Sequence, residues 1–154
     1  MSVHTATIEW ARGAAPFVDR KYSRTHVWKF DGGVQINASS SPQVVPEPLS
    51  DATAVDPEEA YVAALSSCHM LWLLSIAAAE GYCVDAYRDQ AVGRMSRNER
   101  GELWISHVEL QPHIEFSGPK QPDTATLARL HHQAHANCFI ANSVRTKITV
   151  HGLG

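Results

Sequence analysis

The chain of 154 residues is short of cysteine, with three, and of excess charge, with a formal net charge of −3. An odd, small set of cysteines does not make the disulfide framework of a secreted domain. It fits a reducing compartment, where a thiol is either buried or used. The near balance of acid and base, with a pI of about 6.3, argues against nucleic acid or an anionic membrane as the main partner. No basic-then-apolar leader follows Met1, so the expected location is cytoplasmic. Internal repeats, low-complexity tracts and a long linker are also missing, and one domain over 1–154 is expected. The largest gap is in charge: between Glu59 and Glu80 no residue carries one.

That uncharged stretch predicts a helix. Asp56 is a good N-cap, Pro57 suits the first helical position, Glu58 and Glu59 favour the positive end of the helix dipole, and Gly81 is a stop signal. The segment is apolar nearly all round, so it must be buried in a membrane or in protein. Its length matches a bilayer crossing, but Ser66, Ser67, Cys68, His69 and Ser75 lie in its middle and acidic residues flank both ends. A central core helix is the better reading.

Before it, the alternation from His4 to Trp10, the run Tyr22–Phe30, the turn signal Asp31-Gly32-Gly33 and the return Val34–Ala38 predict three strands. The first connection carries Arg12, Arg20 and Arg24. Ser39–Val55, rich in Ser and Pro, is an irregular loop long enough to wall a pocket. After the helix, Val84–Ser96 and Leu103–Phe116 read as one hairpin, with Pro112 forcing a bulge or an edge. A second helix starts at Asp123 or Thr124 and runs to about His135, and Thr146–Val150 is a last strand. The order βββ-α-ββ-α-β with antiparallel hairpins is α+β.

Cys68, near the middle of the apolar helix, and Cys138 are the candidate working thiols. Cys83 lies fifteen residues beyond Cys68, about 22 Å at the helical rise and out of disulfide reach. A single-chain disulfide therefore points to Cys68 with Cys138. A buried thiolate needs a cation, and the cation an anion to aim it. Arg20, Arg24 and Glu58 are available. Glu58 is about 15 Å from Cys68 along one helix, so the two meet only if two copies of the helix pack antiparallel, as in an obligate dimer.

The segment DPEEAYVAALSSC, followed later by AHANCFIANS, resembles the osmotically inducible protein C and organic hydroperoxide resistance (OsmC/Ohr) family over nearly the whole chain. The resemblance implies an intertwined homodimer of α+β subunits with antiparallel sheets around a long central helix. It also implies a cysteine-based peroxidase acting on organic hydroperoxides in oxidative stress defence. Carried over by position, Cys68 matches the peroxidatic cysteine, Cys138 the resolving one and Glu58 the glutamate that holds the catalytic arginine. Arg24 is the arginine of choice, with Arg20 as the alternative. No metal or flavin cofactor is implied, and a lipoyl-type dithiol carrier is the implied reductant. Met70, Trp72 and Phe139 would supply apolar walls suited to a fatty or aromatic hydroperoxide. Cys68 is followed by His69-Met70 and Cys138 by Phe139-Ile140, where better-known members carry a small or apolar residue and a proline. The chain therefore looks like a less characterised OsmC-like branch.

Two rival readings stand beside this one. His131 and His135, four apart on one helical face, could join a cysteine in a transition-metal site. A non-catalytic module could instead bind a small hydrophobic ligand, with structural thiols. His69 by itself reads as a core histidine bonded to a backbone carbonyl.

Overall fold

The computed structural model describes residues 1–151; residues 152–154, included in the single-domain expectation, lie outside the described residues. The chain comprises two compact units, Met1–Ala60 and Tyr61–Gly154.

In the first unit β1 (Ala6–Glu9), β2 (His26–Phe30) and β3 (Gln35–Ala38) form an antiparallel sheet in that order. The predicted turn closes it: Gly33 donates to the Phe30 carbonyl at 3.0 Å and has φ 92°, which glycine adopts without a steric penalty. The Ser/Pro-rich segment forms no helix or strand, yet it is tied down. Ser39 donates to the Val55 carbonyl at 3.0 Å, Val55 to Asn37 at 3.0 Å, and Arg24 to Leu49 at 2.8 Å.

The central helix, α1 (Pro57–Ala79), begins as the sequence requires. The Asp56 carboxylate accepts from the Glu59 backbone at 2.8 Å, and the Glu59 carboxylate accepts from the Asp56 backbone at 3.2 Å. This reciprocal cap uses Glu59 and leaves Glu58 out of it. The far end closes with Tyr82 donating to Ala77 and Gly81, at φ 83°, donating to Ala78.

In the second unit α1 buries one stripe, Leu65, His69, Leu73 and Ala77, spaced four apart. The expectation of burial on every side is not met within one chain: Ala63, Ala64, Ser67, Leu71, Ser75 and Ala78 are exposed. Leu65 joins Val108 and Leu110 in a core flanked by Tyr61, Val62, Ile105 and Ile148.

Each of the two strands expected after α1 is divided. β4 (Cys83–Asp89) pairs with β7 (Pro112–Ser117) in one sheet, and β5 (Val92–Arg97) pairs with β6 (Leu103–Leu110) in another. The break has two causes. Pro112 has no N–H for the ladder, and the Gln111 N–H is taken by the Asp89 carboxylate at 2.6 Å. The last strand, β8 (Lys147–Val150), pairs parallel to β6, so that sheet is mixed rather than antiparallel throughout. The second helix, α2 (Thr124–Asn137), is capped by Asp123, which accepts from Thr126 at 2.7 Å.

Gly93 on β5 makes a test of this packing. A Cβ there would lie 2.6 Å from Val62 Cγ2, and a β-branched side chain on a helix has little rotamer freedom to withdraw. Gly93→Ala is expected to cost about 1–3 kcal/mol in urea denaturation; unchanged stability would show that the strand and helix separate easily.

Candidate functional site

The first unit contains a cavity of about 490 Å³, within the range of small-ligand sites. Its walls include Trp10, Phe17, Tyr22, Arg24, Ser40 and Glu58. The strand end at Trp10 and the loop that follows fold into an aromatic cluster. Phe17 stacks on Tyr22 with centroids 4.7 Å apart, and Trp10 meets Tyr22 edge-on at 5.5 Å. Trp10 Nε1 donates to the Ser23 carbonyl at 2.8 Å, satisfying the one polar group of the indole.

Arg24 is fixed by its neighbours. Its Nη1 donates to the carbonyls of Arg20, at 2.8 Å, and Tyr22, and the guanidinium lies 3.8 Å from the Tyr22 ring centroid. Arg20 takes a left-handed backbone, φ 63°, as it presents that carbonyl. Of the two candidate arginines, Arg24 is half-buried and lines the cavity, and Arg20 is exposed and serves through its backbone. Glu58 lines the same cavity; among the described residues Arg24 forms no ion pair with it. His26 completes the strand edge. Its Nε2 accepts from Trp28 Nε1 at 3.0 Å, so its Nδ1 carries the proton and donates to the Arg24 carbonyl at 2.7 Å.

The second unit brings the two candidate thiols together. Cys68 is half-buried on α1, Cys138 is buried at the C-cap of α2, neither is in a disulfide, and the two thiols are near enough for Cys68 to act on the ionisation of Cys138. Burial pushes the Cys138 thiol up to about 11, the Cys68 thiol adds to the rise, and the Ala141 N–H, 3.3 Å from Sγ, partly offsets it. Cys83 is exposed at the start of β4 beside Ser117 and Asp85.

The expected wall residues stand elsewhere than the cavity. Trp72 and Phe139 contact each other edge-on at 5.5 Å in the second unit, and Met70 is half-buried on α1. The cavity is walled instead by Trp10, Phe17 and Tyr22, which the sequence reading passed over as strand end and loop. The spacing of three aromatics around Arg20 and Arg24 was the available signal.

The histidines are also rearranged. His131 turns to His69, whose Nε2 lies 2.9 Å from His131 Nδ1 with the rings nearly parallel. His69 therefore bonds a second histidine and not a backbone carbonyl. Burial lowers both to about 4; the charges of His131 and His135 add to the shift of His69, and Asp89 opposes that of His131. Among the described residues no group of three or more His, Cys, Asp or Glu is arranged to hold a metal ion, the His131/His135 pair included.

The chain is an α+β fold with one thiol on its long central helix and a second at the end of the next helix. The chain matches the OsmC-like protein family model over residues 50–151. It belongs to that family. An OsmC-like protein of unknown function from Vibrio cholerae is 52% identical, with 97% of this chain and 98% of that one covered and a TM-score of 0.95. An organic hydroperoxide resistance protein from Elizabethkingia anophelis is 18% identical, with 97% and 96% covered and a TM-score of 0.71. One from Legionella pneumophila is 16% identical, with 97% and 98% covered and a TM-score of 0.66. These last two likenesses are of fold. No curated protein matches the chain.

Proposed function

We propose that the protein is a thiol peroxidase for organic hydroperoxides, working through Cys68 and Cys138. The single observation that supports this reading is the proximity of two unpaired thiols, Cys68 on α1 and Cys138 at the end of α2. The Cys68 thiolate attacks the distal peroxide oxygen and the O–O bond breaks; the alkoxide takes a proton and leaves as alcohol, and Cys68 becomes a sulfenic acid. Cys138 then attacks that sulfur, water leaves, and a disulfide forms. A dithiol, of the lipoyl type that the family resemblance implies, returns both thiols at the cost of its own oxidation. By the family resemblance Arg24 is assigned to favour the thiolate and polarise the peroxide, and Glu58 to pair with it once the hydroperoxide is bound.

The exposed small-residue face of α1, with Leu71 60% exposed, supports assembly with a second copy. Three cysteines, an odd number unsuited to a disulfide framework, fit a reducing, cytoplasmic setting.

Stopped-flow mixing of reduced protein with cumene hydroperoxide or hydrogen peroxide, with free thiols counted, tests the reading. Rapid loss of two thiols per chain with the organic oxidant is expected. The apolar cavity by itself favours a second reading, non-catalytic binding of a small hydrophobic ligand, and survival of the thiols against both oxidants would select it.

Glu58 separates a chemical role from a structural one. Because Asp56 and Glu59 make the helix cap, Glu58→Gln is expected to leave the melting temperature nearly unchanged and to slow thiol oxidation about a hundredfold through a misaimed guanidinium. A normal oxidation rate would reduce Glu58 to a favourable charge at the helix start.

A further inference from the structure

The two-thiol reading uses neither of the most buried polar side chains in the second unit, His69 at 1% and His131 at 3% exposure. They join α1 to α2 through one hydrogen bond of 2.9 Å, and His69 Nδ1 has no partner among the described residues. Donation from His69 Nε2 to His131 Nδ1 leaves a lone pair at that Nδ1, whereas the opposite donation would leave a buried N–H, the costlier orphan. Two aliphatic side chains would fill this place with no orphan at all. What they would lack is direction: an apolar contact tolerates sliding, and a hydrogen bond of this length does not.

Direction matters because of where the pair sits. His69 follows Cys68 directly on α1, and His131 stands two turns before Cys138 on α2. Closing a disulfide demands Cβ atoms about 3.8 Å apart, so a small slip of one helix past the other separates the sulfurs. We infer that the His69–His131 hydrogen bond is a positioning device that registers α1 on α2 so that Cys68 and Cys138 close to a disulfide. The inference rests on the two-thiol reading of the site.

The test needs no peroxide. Reduced protein is equilibrated at pH 7 with glutathione and glutathione disulfide. The two thiols are oxidised, one glutathione disulfide is reduced, and both protons end on two glutathione thiols; alkylation and mass measurement count the remaining protein thiols. The double variant His69→Met/His131→Leu is expected to lower the equilibrium constant for the Cys68–Cys138 disulfide about tenfold, about 30 mV, with the melting temperature unchanged or raised because both buried polar partners are gone. His131→Asn, whose amide oxygen takes the place of Nδ1, is expected to restore the constant. A merely structural pair would give a disulfide constant that follows the melting temperature. A wild-type constant in the folded double variant overturns the inference; if that variant does not fold, a wild-type constant in His69→Met does so. Equal closure in wild type and variant removes this inference alone, whereas wild-type protein that never closes the disulfide removes the two-thiol reading with it.

Discussion

Cys68→Ser is expected to abolish organic hydroperoxide turnover, with a loss on the order of a thousandfold or more, as when a nucleophile is removed from a unit that acts together. The asymmetry of the thiol pair is the reason that Cys138 cannot take over. With burial holding its thiol at about 11, only about one part in ten thousand is thiolate at pH 7, and the thiolate is the nucleophile. Cys138→Ser is expected to differ in kind. Cys68 should still consume one equivalent of hydroperoxide and remain as a sulfenic acid, which a carbon-acid trapping reagent reveals by mass, and no disulfide should follow. Equal residual turnover in the two variants would place the chemistry outside the pair.

The second large effect is on stability in mild acid. His69 and His131 titrate near 4 in the folded protein because burial disfavours the charged ring, against an ordinary value of 6.5. Between those values the unfolded chain binds protons that the native state refuses. Stability contributed by the neutral pair is therefore present above about pH 6.5 and falls as the pH drops towards 4. The loss amounts to roughly 3 kcal/mol for the pair, after allowance for screening and for coupled titration. His135 on α2 adds to the shift of His69, and Asp89 on β4 works against that of His131. The lowered carboxylates, such as Glu80 held by Arg129, begin to lose their stabilisation only below their ordinary value of 4.5, so the upper part of the window belongs to the histidines. Urea denaturation between pH 7 and 4.5 should show the slope, and His131→Leu should flatten it. A flat wild-type profile would mean that the pair is protonated or solvated in the native state.

Local chemistry was legible where neighbours in the chain satisfy one another. Asp56, Pro57 and Glu59 set the start of α1, Gly81 its end, Asp123 the start of α2 and Gly33 the first turn, because each of these bonds spans only a few residues. The DPEEAYVAALSSC and AHANCFIANS segments pointed to the family that the comparisons establish. In the candidate site, the nearness of Cys68 to Cys138 could be anticipated only as far as Cys83 lay out of reach of Cys68 by helical rise. Arg24 could be preferred to Arg20 only as one of two arginines in the same loop.

What the amino-acid sequence determined by itself was the kind of elements, their order apart from two divided strands, and the acidic helix start, since these depend on periodicity, caps and spacing along one chain. Tertiary structure alone decided the rest. It broke two apparent strands at Gln90 and Gln111, where Asp89 takes an N–H that the ladder would have used and Pro112 has none to offer. It ran β8 parallel to β6. It put Trp10, Phe17 and Tyr22 around a cavity. It also joined His69 to His131 across 62 residues. The physical reason is common to all four: strand partners, cavity walls and buried hydrogen bonds are contacts between distant residues, and hydrophobic periodicity records that a side chain is to be covered without recording by what.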